Sequence, residues 1–198
     1  CTRKPDAAEL TQLDQSNLQI VTLEVRDHTA VDALAKQLAD TAIDVLINNA
    51  GTTGPKGAPE CMEYSGVDNM DYDIWRETME VNLLGAFKVA TAFKPHLEKA
   101  SQGVLVNMSS DLGSMAQNTI GNMYSYRTSK TALNMMTKGF GVEWSNIISI
   151  AMAPGWCRTD LGGVGAEIDP ADSVCDQIKT LAKLSRAQSG TFIDRFGE

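Results

Sequence analysis

The segment Tyr126-Arg127-Thr128-Ser129-Lys130 places a phenol and an ammonium group four residues apart. In a helix, residues at this spacing lie on one face, one turn apart. The charge of Lys130 would then favour the phenolate and lower the pKa of Tyr126. A tyrosine tuned in this way can donate or accept a proton beside a carbonyl or an alcohol. Ordinary amphipathic helices with a snorkelled lysine show the same spacing, so the interpretation needs support from other segments.

Three predicted strands end in polar or glycine-containing tips. Each is short, apolar and rich in β-branched residues, as is typical of buried parallel strands. The strands span 43–49, 103–109 and 147–153, with tips at Asn48-Asn49-Ala50-Gly51, at Ser109-Ser110 and at Pro154-Gly155 followed by Thr159. Because open α/β sheets bind ligands at the carboxyl ends of their strands, we expect one site along this edge.

Further elements are predicted to position that site. Periodicity and capping signals predict helices at about 29–40, 72–94, 123–144 and 170–185, and strands at 18–25 and 191–193. Asp71 is the expected N-cap of the second helix. Two loops, 52–70 and 162–168, are expected to wall a substrate pocket. Candidate apolar wall residues are Met62, Tyr64, Met115 and Trp156, each of which could equally be ordinary packing.

Five motifs stand in the order found in the short-chain dehydrogenase/reductase family, which the chain resembles from Cys1 to about Gly197. They are Asn-Asn-Ala-Gly at 48–51, Val81-Asn82-Leu83, Ser-Ser-x-x-Gly at 109–113, Tyr-x-x-x-Lys at 126–130 and Pro-Gly-x-x-x-Thr at 154–159. Within the family the chain is similar to the carbonyl-reductase-like branch that includes the sniffer and C-factor proteins. The resemblance implies an α/β fold, a Rossmann-type doubly wound parallel sheet with helices on both faces, in one domain spanning 1–198.

The resemblance also implies catalytic roles in hydride transfer between a nicotinamide and a carbonyl or secondary alcohol. Tyr126 would be the general acid/base, and Ser110, rather than Ser109, would polarise the substrate oxygen. Lys130 would tune Tyr126 and bind the nicotinamide ribose. Asn82 would hold a water that links Lys130 to solvent. The alternatives are serines that only end a strand and an asparagine that is a satisfied interior polar residue.

Cofactor contacts are implied at four places in the chain. The residues are Glu24 and Val25 for the adenine, Asn49, Ala50 and Gly51 for the adenosine ribose, Tyr126 and Lys130, and Pro154, Gly155, Cys157 and Thr159 for the nicotinamide end. Packing is an alternative role for Cys157. Arg3 and Lys4 offer two positive charges to a 2′-phosphate, which favours NADP over NAD. Two solvated N-terminal cations are the alternative.

Two regions depart from the family pattern. No segment matches the Gly-x-x-x-Gly-x-Gly turn that follows the family's first strand. We therefore expect a portion of a longer protein, without the N-terminal βαβ part and the last few residues. A nucleotide-binding signalling or scaffold protein without catalysis is the alternative function. The interval from Ser110 to Tyr126 is also long for the family, which predicts an inserted turn at 117–122 that rims the pocket.

The amino-acid composition limits the kinds of binding partner that we expect for this chain. The net charge of −8 argues against nucleic acid and anionic membranes, and no run of 18 apolar residues or signal-like start occurs, so we expect a cytoplasmic protein. The four cysteines and two histidines have no metal-ligand spacing, so we expect no metal. The expected partners are a small carbonyl or alcohol and further copies of the chain, as a homodimer or homotetramer. The substrate itself is left open.

Overall fold

The computed structural model describes residues 1–3, 10, 12, 13 and 16–198, so Lys4 lies outside the described residues. Helices α1 to α5 are His28–Gln37, Tyr72–Met79, Ala86–Lys99, Tyr124–Glu143 and Pro170–Leu181. Strands β1 to β4 are Val45–Asn48, Gly103–Met108, Ile147–Ala153 and Thr191–Asp194. Short 3-10 helices occupy Glu60–Glu63, Asp111–Gly113 and Arg186–Gln188, and a π-helical turn, Glu80–Gly85, joins α2 to α3.

The four strands form a parallel sheet in the order β1-β2-β3-β4. On one face, Leu105 packs in a cluster with residues of α3 and α4. On the other face, Val104 and Val106 pack in a cluster that includes Leu184 and reaches Leu181 at the end of α5. Helical segments therefore cover both faces, and the predicted doubly wound Rossmann-type fold is confirmed.

A chain of polar side chains crosses this interior. Asn48 Nδ2 donates to the carbonyl oxygen of Ala86 at 3.0 Å and to Asn107 Oδ1 at 2.9 Å. Asn107 Nδ2 donates in turn to Thr137 Oγ1 at 2.9 Å. Asn107 and Thr137 are fully buried, so these bonds satisfy groups that would otherwise be costly to bury. The bonds link β1, β2 and α4.

Most of the predicted helices and strands are present, but several begin or end at other residues than predicted. Asp71 is the N-cap of α2, because its Oδ1 accepts from the N–H groups of Asp73 and Ile74. The predicted 72–94 helix runs on through the π-helical turn to Lys99 with Pro95 inside it. Packing explains the extension, since Leu97, beyond the proline, is fully buried. The predicted 170–185 helix ends earlier, at Leu181.

The predicted strand at 18–25 is wrong. In the described part of this region, Thr2 and Thr22 form an isolated parallel bridge, with hydrogen bonds from Thr2 N to Val21 O and from Leu23 N to Thr2 O, each 2.9 Å. Among the described residues, no further backbone pairing extends this bridge into a strand. Glu24 and Val25 consequently follow the bridge as the chain turns toward α1.

Two glycines of α4 yield a prediction about packing. A Cβ at Gly141 would lie 2.4 Å from the backbone of Gly190, whereas a Cβ at Gly139 would have no neighbour within 4 Å. Gly190 N donates to Ser149 O at 2.7 Å, which keeps its backbone in place. We expect Gly141→Ala to lower the free energy of unfolding by about 1–3 kcal/mol. Gly139→Ala, the control, should raise it by up to about 1 kcal/mol. Urea denaturation measures both, and equal losses would contradict the close approach.

Candidate active site

The π-helical turn positions Asn82, which is almost fully buried. Its Oδ1 accepts from Thr52 N at 2.8 Å, and its Nδ2 donates to Thr52 O at 2.9 Å and to Ser129 Oγ at 3.0 Å. The side chain therefore ties the loop after β1 to α4. Single π-helical turns within α-helices are frequent at functional sites.

Tyr126 and Lys130 lie on one face of α4, as predicted. Lys130 Nζ is 5.5 Å from the centre of the Tyr126 ring and donates to the Met108 carbonyl oxygen at 2.7 Å. Both side chains are buried. Burial lowers the pKa of Lys130 to about 8.

The expected lowering of the Tyr126 pKa is wrong for this structure. Burial raises the pKa of Tyr126 to about 12, although a side-chain hydrogen bond with Ser110 acts in the opposite direction. Desolvation penalises the phenolate more than the surrounding groups stabilise it. The phenol is therefore held in its protonated form at neutral pH.

The two serines after β2 have different partners. Ser109 is buried, and its Oγ donates to Asn134 Oδ1 at 2.5 Å. Ser110 Oγ accepts from Leu112 N at 3.2 Å, and Ser110 is the serine that acts to lower the pKa of Tyr126. Because Ser109 is engaged with Asn134 while Ser110 acts on the pKa of Tyr126, the arrangement favours Ser110 over Ser109 as the serine that meets a substrate oxygen.

The turn after β1 approaches these residues closely. A Cβ at Gly51 would lie 3.5 Å from Lys130 Nζ and 3.6 Å from Asn82 Oδ1. Since glycine has no side chain, only the backbone of this turn lies beside the ammonium. Gly51 therefore connects the catalytic candidates to the region beside β1.

That region is a groove of about 650 Å³ beside β1, where Val45 and Ile47 are 44% and 49% exposed. Its volume lies in the range of small-molecule and cofactor sites. Six of the predicted cofactor residues line it: Arg3, Glu24, Val25, Asn49, Ala50 and Gly51. The groove thus brings together residues that are far apart in the sequence.

Charged side chains stand at one end of this groove. Glu24 Oε2 lies 3.2 Å from Arg26 Nη2 and 3.8 Å from Arg3 Nη1. The hydrogen bond from Arg26 holds the pKa of Glu24 below its usual value. The Arg3 side chain is 73% exposed, so its guanidinium is accessible to an anion.

The predicted nicotinamide-side residues lie after β3, outside the described lining of the groove. Gly155 has a φ of +81°, which glycine adopts without strain. Cys157 Sγ lies 3.6 Å from the carbonyl oxygens of Pro154 and Gly155, and Thr159 Oγ1 accepts from Gly162 N at 3.2 Å. Backbone contacts therefore hold this segment at the carboxyl edge of the sheet.

Two loops meet above Tyr126. Ala58 N donates to Leu161 O at 2.9 Å, and a Cβ at Gly57 would lie 2.1 Å from Asp160 O. Tyr126 is in an apolar cluster with Cys61, Met123, Ala58, Met62, Tyr64, Leu112 and Leu161. Met62 and Tyr64 were expected there. Cys61, Met123 and Leu161 were missed, because an apolar loop residue carries no motif signal.

Met115 and Trp156, also expected as wall residues, do not belong to this cluster. Met115 is 82% exposed, and Trp156 is 49% exposed with its Nε1 donating to Gly162 O at 2.7 Å. Among the residues that the structure describes, no three His, Cys, Asp or Glu side chains are grouped as metal ligands. No helix in the same part of the chain has the length and apolar character needed to cross a membrane.

Comparison with known proteins agrees with this geometry. Residues 2–167 match the short chain dehydrogenase family. The chain belongs to this family. The short-chain dehydrogenase is 32% identical to the C-signal of Myxococcus xanthus over 167 residues, which are 83% of this chain and 96% of that protein.

Solved structures confirm the fold and the branch of this short-chain dehydrogenase. The carbonyl reductase Sniffer of D. melanogaster has a TM-score of 0.89 and 33% identity, over 100% of this chain and 84% of that one. An NADPH-bound carbonyl reductase from chicken fatty liver has a TM-score of 0.85 and 29% identity, over 98% and 83%. The chain is therefore an oxidoreductase of the carbonyl-reductase-like branch.

Proposed function

We propose that this short-chain dehydrogenase is an NADP(H)-dependent reductase of carbonyl compounds, and that Tyr126 exchanges the proton. The observation that carries the proposal is the buried Tyr126 phenol, whose ring centre lies 5.5 Å from Lys130 Nζ and whose pKa responds to the Ser110 hydroxyl. The NADPH bound to the chicken carbonyl reductase supports the cofactor.

The proposed chemistry divides into a hydride step and a proton step. When bound, the cofactor supplies the hydride that adds to the carbonyl carbon. Tyr126 and Ser110 donate hydrogen bonds to the carbonyl oxygen, where negative charge develops, and Tyr126 gives its proton to that oxygen. A pKa of about 12 keeps Tyr126 protonated and ready to donate at neutral pH. Below pH 8, the Lys130 ammonium would stabilise the resulting phenolate.

The proposal places a dinucleotide along one path across these residues. The groove beside β1 would take the adenosine end, with Glu24 and Val25 near the adenine, and Asn49, Ala50 and Gly51 near its ribose. Lys130, whose Nζ lies 3.5 Å from the position of a Cβ at Gly51, would bind the nicotinamide ribose hydroxyls. Pro154, Gly155, Cys157 and Thr159 would meet the nicotinamide. Asn82 would hold the relay water, through its position between Thr52 and Ser129.

The test is cofactor consumption by the purified protein with a panel of aldehydes and ketones. We expect reduction with NADPH at a higher kcat/KM than with NADH. Tight NADPH binding without turnover of any carbonyl would contradict the proposal and would favour the nucleotide-binding scaffold. Sedimentation of the same sample tests the predicted homodimer or homotetramer, and fractionation of cells tests the predicted cytoplasmic location.

Arg3 is proposed to bind the 2′-phosphate of NADP and so to distinguish NADP from NAD. Arg3→Asp would replace this cation by a second carboxylate close to Glu24. Since a hydrogen bond to a charged group contributes about 1.5–3 kcal/mol, we expect the NADPH-to-NADH ratio of kcat/KM to fall by about 10- to 100-fold. Arg76→Asp, on an arginine that is 72% exposed, is the control and should leave the ratio unchanged. An unchanged ratio in Arg3→Asp would assign phosphate recognition to another cation.

A further inference from the structure

Arg127, the second residue of the Tyr-x-x-x-Lys motif, has a role that the motif does not explain. Its side chain is buried at the start of α4, although arginine is rarely buried. Its Nε donates to the carbonyl oxygens of Gly121 at 3.2 Å and Asn122 at 3.0 Å. Burial lowers the pKa of Arg127. Arg127 therefore holds the end of the turn that precedes the catalytic helix.

That turn has an unusual backbone. Gly121, Asn122 and Met123 have successive φ values of +66°, +56° and +50°. Glycine adopts this left-handed conformation easily and asparagine tolerates it, but it is unfavourable for methionine. Surrounding bonds must therefore hold it. Besides the two from Arg127, Met123 N donates to Asn122 Oδ1 at 2.5 Å, and Tyr124 N donates to Ser65 O at 2.9 Å.

The left-handed backbone determines where Met123 lies. The Met123 side chain is 4% exposed and packs in one cluster with Tyr126 and Cys61. Strained backbone at such a place needs contacts that over-determine it. If the bonds from Arg127 were lost, the turn could relax and Met123 could leave the phenol. The same turn carries Ile120, which is 73% exposed.

We propose that Arg127 is a positioning residue that sets the substrate selectivity of Tyr126 by holding Met123 as a fixed wall beside the phenol. The proposal rests on the proposed reductase function and deepens it. A small aldehyde would need only Tyr126 and Ser110, whereas a bulky apolar carbonyl compound would extend to the apolar side chains around the phenol, of which Met123 is one. Arg127 therefore favours bulky apolar carbonyl substrates over small ones.

The test compares propanal and 2-acetylnaphthalene as substrates with NADPH, in the full protein. In Arg127→Met, we expect kcat/KM for the naphthyl ketone to fall about tenfold through KM, as for a lost apolar contact. The value for propanal and the Kd for NADPH should stay within about twofold of wild type. Arg127→Lys should show the same direction of change, because one ammonium cannot reproduce the planar guanidinium. Arg76→Met, on an exposed arginine of α2, is the control and should keep the wild-type ratio.

Met123→Ala provides a second route to the same result, should Arg127→Met fold poorly. It removes the wall directly, so it should lower the selectivity ratio to a similar extent. In the double variant the two effects should not add, because they act through one contact. An unchanged ratio in Met123→Ala, or equal falls for both substrates in Arg127→Met, would overturn the selectivity role. No turnover of either substrate by the wild type would instead contradict the proposed reductase function, and the selectivity role with it.

Discussion

Tyr126→Phe should lower kcat for carbonyl reduction by about 10²- to 10⁴-fold, which is the usual contribution of a positioned general acid. The substitution removes the hydroxyl that would protonate the substrate oxygen and leaves the ring in its apolar cluster. NADPH binding should change by less than about twofold, since the ring and Lys130 remain in place. Steady-state kinetics and a fluorescence titration with NADPH measure the two quantities.

Tyr124→Phe is the matched control for this experiment. Tyr124 is two residues away at the start of the same helix, and it is 36% exposed. Losing its hydroxyl should leave kcat near the wild-type value. A Tyr126→Phe enzyme that keeps wild-type turnover would show that another group supplies the proton.

Lys130→Met should abolish most turnover and yet stabilise the fold. Burial shifts the pKa of Lys130 from 10.5 to about 8, which at 1.36 kcal/mol per unit is a penalty of roughly 3 kcal/mol for keeping the buried ammonium charged. The hydrogen bond to Met108 O offsets part of it. We therefore expect the free energy of unfolding to rise by roughly 1–3 kcal/mol near neutral pH, while activity is lost.

The pH dependence of this stabilisation has a definite sign. The folded-state pKa of Lys130 lies below its unfolded-state value, so the unfolded chain binds more protons between pH 8 and 10.5. The amount by which the free energy of unfolding of Lys130→Met exceeds that of the wild type should be largest below pH 8 and should decrease as the pH rises toward 10.5. Lys179→Met, at a lysine that is 65% exposed, should show no such gain. Equal stability of Lys130→Met and wild type at pH 7 would contradict the penalty.

The sequence was sufficient to predict the positions of the site residues that belong to motifs. Tyr126, Lys130 and Ser110 could be placed because helical spacing and strand ends have regular geometry. The direction of the pKa shift of Tyr126 could not be predicted, because it depends on how deeply loop residues such as Cys61 and Leu161 cover the phenol. Cys61 and Leu161 belong to loops that are distant from Tyr126 in the sequence, and no local pattern encodes their contacts with the phenol.

The wrong strand at 18–25 and the role of Arg127 have a similar explanation. An apolar run predicts strand, but strand formation also requires partners on the sheet, and the described partner here is Thr2. Arg127 occupies an ordinary variable position of a motif, so its burial and its bonds to Gly121 and Asn122 become visible only in three dimensions. Asn82 was placed by its motif, while the π-helical turn around it gives no separate signal.

The buried chain of Asn48, Asn107 and Thr137 has a consequence for strand alignment. Every residue of β2 and β3 is buried, so at most positions a slip by one residue would exchange one apolar side chain for another. Hydrophobic alternation therefore discriminates poorly between neighbouring alignments of these strands. A slip of β1 against β2 would, however, separate Asn48 from Asn107 and leave amide groups unsatisfied in the interior. Between β1 and β2, one pair of amide side chains thus selects a single alignment among several that the apolar residues would accept.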